Sequence, residues 1–145
     1  MKQETLTEAV AAALLQSRTD AIIVADLRGA ILLWNPGAEQ LFGYPAADAL
    51  GQSLDIIIPD RLRTRHWDGF HHWISTGHGR HQPGEILSVP ALHRDGHTLR
   101  VQFTLTPLPG NAGATTALIA VLHERPQPPT PPRTADQLPG PAASR

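Results

Sequence analysis

The sequence predicts an α+β fold, and three observations carry that prediction. A β-hairpin stands early in the chain, a group of helix signals follows it, and three strands joined by a hairpin turn close the folded part. Antiparallel hairpins with the helices gathered between them are the pattern of an α+β domain.

The elements follow in order. Thr5 and Glu8 are spaced as a capping box, and Leu6, Val10, Ala13 and Leu14 recur at helical spacing through an alanine-rich run. Residues 1–18 are therefore read as an N-terminal amphipathic helix. Its apolar stripe is narrow, which suits either packing on the domain or a dimer contact. Ala21 to Ala25 and Ile31 to Trp34 are short apolar runs around the turn signal Asp26-Leu27-Arg28-Gly29, and form the first hairpin. Asn35 and Pro36 then supply an N-cap and a first-turn proline, and Gly43 ends a helix of one to two turns. Pro45 to Leu50 is a further short helix stopped by Gly51.

Asp60 to Thr76 is periodic after Pro59 and reads as one helix, with Gly77 as its C-cap. Ile86 to His93 is a strand, turned by Arg94-Asp95-Gly96 into the strand His97 to Pro107. In the latter, Leu99, Val101, Phe103 and Leu105 alternate with Arg100, Gln102, Thr104 and Thr106. Thr115 to Leu122 is mostly apolar and suits a central strand.

Composition narrows the function. A chain of 145 residues has room for one domain, expected over residues 19–125. Residues 126–145 hold seven of the fourteen prolines and almost nothing to bury, so a disordered tail is expected there in preference to a proline-rich ligand. The net charge of −1 gives no electrostatic footprint for nucleic acid. The longest apolar run, Ala9 to Leu15, is too short to cross a membrane and no secretory leader precedes it, so a cytoplasmic protein is expected. The absence of cysteine excludes disulfides, thiolate zinc sites, iron–sulfur clusters, cysteine nucleophiles and thiol-linked chromophores.

Enzymatic signals are missing too. There is no phosphate-binding glycine loop and no nucleophile elbow, and Glu39, Asp60, Asp68 and Glu85 are separate carboxylates without an evident pair. No enzyme is expected.

The element order, "DAIIVADLRGAILLWNPGAEQLFGY" with its Asn35-Pro36 and Gly43-Tyr44, "ALGQSLDIIIPDRLRTRH", the Arg94-Asp95-Gly96 turn and a last strand ending near His123-Glu124 together resemble the PAS domain. The resemblance spans roughly residues 15–125. It implies a five-stranded antiparallel sheet with helices on one face, enclosing a pocket for haem, flavin or a small metabolite. It also implies sensing or protein interaction in place of catalysis. Such domains usually sit beside a kinase, cyclase or DNA-binding module, and none is expected within these residues. The output of the domain is therefore expected through a homodimer or a partner signalling protein such as a kinase or a transcription regulator.

Residues 63–81, "RTRHWDGFHHWISTGHGRH", concentrate five of the eight histidines and two of the three tryptophans. On one helix, His66, Gly69, Phe70, Trp73 and Gly77 share a stripe, while His71, His72, Asp68 and Ser75 point elsewhere. The segment "IIIPDRLRTRHWDGF" is similar to haem-binding PAS sensors, in which the proximal iron ligand lies on this helix after an Ile-Pro or Met-Pro pair. By that similarity His66 is the candidate axial ligand of a haem iron, with Phe70, Trp73, Ile86 and Leu87 as the wall that excludes water. Val101, Phe103 and Leu118 complete the pocket from the last strands.

The oxygen-sensing relatives place an arginine or a methionine on the strand after the helix, where this chain reads Gly84-Glu85-Ile86-Leu87. Carbon monoxide, nitric oxide or a redox role then suits a haem here better than tight oxygen binding. Flavin is the less favoured cofactor and, without cysteine, would serve only redox. Other readings are a histidine metal site of His78 and His81 with His71 or His72, and a ligand-free interaction module that dimerises through its first helix. Trp34 is expected in the core.

Overall fold

The computed structural model describes residues 2–76 and 86–125. Its elements are α1 (Gln3–Leu15), β1 (Ala21–Asp26), β2 (Ile31–Trp34), α2 (Pro36–Phe42), α3 (Ala46–Ala49), α4 (Arg63–Thr76), β3 (Leu87–Leu92), β4 (Thr98–Pro109) and β5 (Thr115–Glu124). Two 3-10 turns, Leu54–Ile57 and Asp60–Leu62, lead into α4. The five strands form one antiparallel sheet in the order β2-β1-β5-β4-β3. The α+β expectation and its five-stranded sheet are therefore what the chain adopts.

Register decides which side chains face the helices, because antiparallel partners share a face. Ile23 lies opposite both Trp34 and Ala120, Phe103 opposite both Leu122 and Leu87, and Val101 opposite Val89. That face carries the core: Ile23, Ala25, Val101, Leu118 and Leu122 are buried with Phe42, Ala49, Leu54, Ile57 and Phe70 from the helical side. The opposite face carries Ile22, Val24, Ile119 and Val121, all half-buried.

The short helix α2 is fixed at both ends by residue type. Asn35, 5% exposed, accepts through Oδ1 from the backbone N–H of Ala38 (2.9 Å) and of Ile22 (2.7 Å). Its amide nitrogen donates to the carbonyls of Ser17 (3.2 Å) and Asp20 (2.8 Å). One side chain therefore caps the helix and ties it to the segment between α1 and β1. At the other end Gly43 adopts φ +83°, the left-handed conformation that favours glycine, and its N–H returns to the Glu39 carbonyl.

The N-terminal helix differs from expectation. It starts at Gln3, with Lys2 in the N-cap position and no side-chain cap, so Thr5 lies inside the helix and the Thr5–Glu8 box does not form. Gln3 and Glu4 are good helix formers, and nothing obliges the chain to turn at Thr5. No residue of α1 is buried: Leu6, Val10 and Leu14 are 42%, 48% and 57% exposed. The apolar stripe does not pack on the domain within one chain. Gly77, the expected C-cap of α4, and the tail at residues 126–145 lie outside the described residues.

Candidate functional site

The Asp55–Arg63 segment orients α4. The Arg63 guanidinium donates to the carbonyls of Ile58 (3.2 Å) and Asp55 (3.1 Å) and pairs with the Asp60 carboxylate at 2.7 Å. The Trp67 indole N–H donates to Asp55 Oδ1 at 2.8 Å. Its ring lies against Gly29 in the β1–β2 turn, where φ is +83° and a Cβ would run into the indole. Gly29 thus serves both as the turn residue and as the floor under Trp67.

Around this anchor α4 presents an aromatic surface. Trp67 meets His66 edge-on with ring centres 4.8 Å apart and Phe70 edge-on at 5.2 Å, while His66 and Phe70 lie 6.0 Å apart. Phe70 is in the buried core together with Val101 and Leu118, and Trp73 and Phe103 pack against that core half-buried. Leu87, half-buried, stands opposite Phe103 in the sheet. Phe70, Val101 and Leu118 are therefore gathered in one cluster, with Trp73 and Phe103 at its margin.

His66 Nδ1 is buried and has no hydrogen-bond partner, alone in this among the described side chains. Buried polar atoms are nearly always paired, so an orphan of this kind asks for an explanation such as an absent ligand. Burial pushes the His66 pKa below the ordinary imidazole value; Asp55 raises it and His71 lowers it further. The ring is therefore held neutral at physiological pH, which is the form that ligates a metal. On both counts, an unpartnered ring nitrogen and a neutral imidazole beside Trp67 and Phe70, His66 has the chemistry of an iron-ligating residue.

One residue departs from the expected wall and one from the expected stripe. Ile86 is 64% exposed at the entrance to β3 and does not belong to the buried cluster. Gly69 is exposed with open space where a Cβ would sit, so it faces away from the buried cluster. The inward face of α4 is turned by about one residue from the stripe that spacing suggests, toward Trp67 and Ile74, which both pack on the core. Trp67 is the site residue that spacing missed. The signal for it lies in Trp67, Phe70 and Ile74, the large apolar side chains three and four apart.

The remaining candidates resolve individually. Trp34 is a core indole whose N–H donates to the Tyr44 carbonyl at 2.9 Å, as expected. Glu39 accepts from the Ala46 N–H at 2.7 Å and so caps α3, and Asp60 pairs with Arg63. His71 is exposed, and His78, His81 and Glu85 lie outside the described residues.

Comparison with known proteins decides the family. The PAS-fold family model matches residues 11–125. The chain belongs to the PAS family. Sensor protein FixL of Bradyrhizobium diazoefficiens is 34% identical over 92 residues, 63% of this chain and 18% of that one. Oxygen sensor protein DosP of Escherichia coli is 28% identical over 94 residues, 65% of this chain and 12% of that one. The chain thus spans under a fifth of either relative's length. Among solved structures, the PAS domain of a Colwellia psychrerythraea protein superposes with a TM-score of 0.71 at 22% identity, over 83% of this chain and 97% of that one. Among the described residues no helix is long and apolar enough to cross a membrane.

Proposed function

We propose that this PAS domain is a sensor that takes a small molecule or cofactor against the inward face of α4, in its specific form a haem held through His66, and signals through a second copy or a partner protein. The observation that carries the reading is the buried, unpartnered Nδ1 of His66. Two relatives named as sensors, one of them of oxygen, support it.

Each residue has a defined task in this reading. His66 offers a neutral imidazole, and the edge-on contact with Trp67 restrains the ring. Phe70, with Val101 and Leu118 behind it, keeps water from the ligated side. When bound, haem supplies an iron centre that takes a diatomic gas or exchanges an electron. Leu87, at the start of β3, is a hydrocarbon and would offer no hydrogen bond to a gas held at the cofactor, so carbon monoxide, nitric oxide or redox change would be favoured as the signal.

The test is the absorption spectrum of the purified full chain with and without added hemin, beside His66→Ala. A Soret band in the wild type that is lost or shifted in His66→Ala is expected. A band unchanged by the substitution overturns the axial role.

A second reading, an interaction module without ligand, is favoured by one observation: α1 buries none of its residues. Dimerisation through Leu6, Val10 and Leu14 would cover them. Ser17 belongs to the Asn35 network, so the test removes only residues 1–15. A dimer converted to a well-folded monomer supports this interface, and a dimer that survives contradicts it.

A further inference from the structure

The turn between β3 and β4 gathers a second set of imidazoles that the sensor reading does not use. His93, Asp95 and His97 stand at alternate positions, and the chain folds them round one point. The N–H groups of His93 and Gly96 donate to the carbonyls of His97 and His93 respectively, each at 2.9 Å, with Gly96 at φ +97°. The turn is also anchored to the helical side, because the Arg94 N–H donates to the Phe42 carbonyl at 2.9 Å and the His93 ring lies beside Gly43.

This backbone stacks the two imidazoles, with ring centres 4.5 Å apart and planes 21° apart. Both Nδ1 atoms turn to one carboxylate oxygen: His93 Nδ1 lies 3.2 Å from Asp95 Oδ1, and His97 Nδ1 is in contact with the same atom. One ligand atom from each residue falls within 4.8 Å of the others. Two donors bound to a tetrahedral zinc at about 2.0–2.2 Å stand roughly 3.3–3.5 Å apart, so the His93–Asp95 spacing already suits a shared ion. The Asp95 N–H donates to His93 Nδ1 (3.1 Å), so an ion bound through that nitrogen takes the place of this hydrogen bond and leaves the Asp95 N–H to water. The cation within the turn is diverted: Arg94 pairs with Asp48 at 3.3 Å and lies over the Tyr44 ring.

We propose that His93, Asp95 and His97 form a surface site for a divalent transition metal of the zinc, nickel and copper class, with water at its remaining positions. Two imidazole nitrogens and one carboxylate oxygen select that class over calcium and magnesium, which prefer all-oxygen ligands. The metal takes the place of the proton between His97 Nδ1 and the Asp95 carboxylate, and that proton leaves to solvent. Bound there, it clamps the turn end of the β3–β4 hairpin beside the C-terminus of α2.

The test titrates the metal-free full chain with zinc chloride by calorimetry and by thermal melting. Comparators are His97→Ala, Asp95→Asn and a His78→Ala/His81→Ala control. One zinc per chain, a higher Tm with zinc, and an affinity lowered at least tenfold in both site variants but not in the control are expected. Circular dichroism of the metal-free variants establishes that they fold, and Asp95→Asn keeps the oxygen that accepts the His97 N–H. Wild-type affinity in either folded site variant, or no zinc bound by the wild type at micromolar concentrations, overturns the assignment.

Discussion

Asn35 is where a single side chain does most for the architecture. It makes four hydrogen bonds in a buried setting, two as acceptor and two as donor, which is the full capacity of a carboxamide. Asn35→Ala strands the N–H of Ile22 and of Ala38 and removes the donor from the Asp20 carbonyl, while the Ser17 carbonyl keeps the Gly37 N–H. Chemical denaturation should show a loss of about 2–4 kcal/mol, combining the lost cap with the buried groups left unsatisfied. His66 is the opposite case, a buried polar group left unsatisfied. Its pKa is lowered by burial, so on acidification the unfolded chain takes up the His66 proton at about 6.5 while the folded ring resists. The stability that His66 contributes is therefore complete above that pH and is lost as pH falls toward the lowered value. Denaturation midpoints of the apo protein at pH 7.5 and 5.5 should differ more in the wild type than in His66→Phe; equal slopes would contradict the burial.

At the scale of elements, α4 depends on contacts distant in sequence. Trp67 holds it against Gly29 of the hairpin turn and Asp55 of the preceding 3-10 turn. Trp67→Phe keeps most of the packing and loses the hydrogen bond, at about 1 kcal/mol, whereas Trp67→Ala should cost about 2–3 kcal/mol because the ring is half-buried. If the helix is positioned this way, hemin affinity should fall more in Trp67→Ala than in Trp67→Phe, and equal affinity in both would count against it. This long-range dependence explains what the sequence made legible. Strands β1, β2 and β4 could be read within a residue or two, because period-2 alternation is local and one face is buried. The helix expected over Asp60 to Thr76 was legible except for its first three residues, which form a 3-10 turn before the α-helix starts at Arg63, but its rotation was not. Helical spacing fits both the stripe His66, Gly69, Phe70 and Trp73 and the stripe Trp67, Phe70 and Ile74, and the packing of Trp67 on Gly29 selects the second and leaves Gly69 in solvent. The Thr5–Glu8 box misleads for a related reason. A cap motif reports that a start is possible, and the residues before it can still be helical.

At the scale of the molecule, the sheet has two apolar faces with different fates. One is sealed by the helices and forms the core around Phe42, Ile31 and Val101. The other, with Ile22, Val24, Ile119 and Val121, is half-buried, as the exposed stripe of α1 also waits for cover. The ends of the domain meet at the entry to β1, where Asp20 Oδ1 and His123 Nε2 are 2.5 Å apart. The hydrogen bond from His123, then that from Ser17, holds the Asp20 carboxyl below its ordinary value. What Asp20 contributes to stability is thus present above that ordinary value and fades only as pH falls through the lowered one. The most direct test of the His66 site is to follow the ring nitrogen resonances of all eight histidines by NMR while diamagnetic gallium protoporphyrin is added. The His66 ring should be neutral beforehand and should show the largest change, in step with porphyrin uptake. Uptake with His66 unmoved, and the change falling on His71 or His72 instead, would contradict the account.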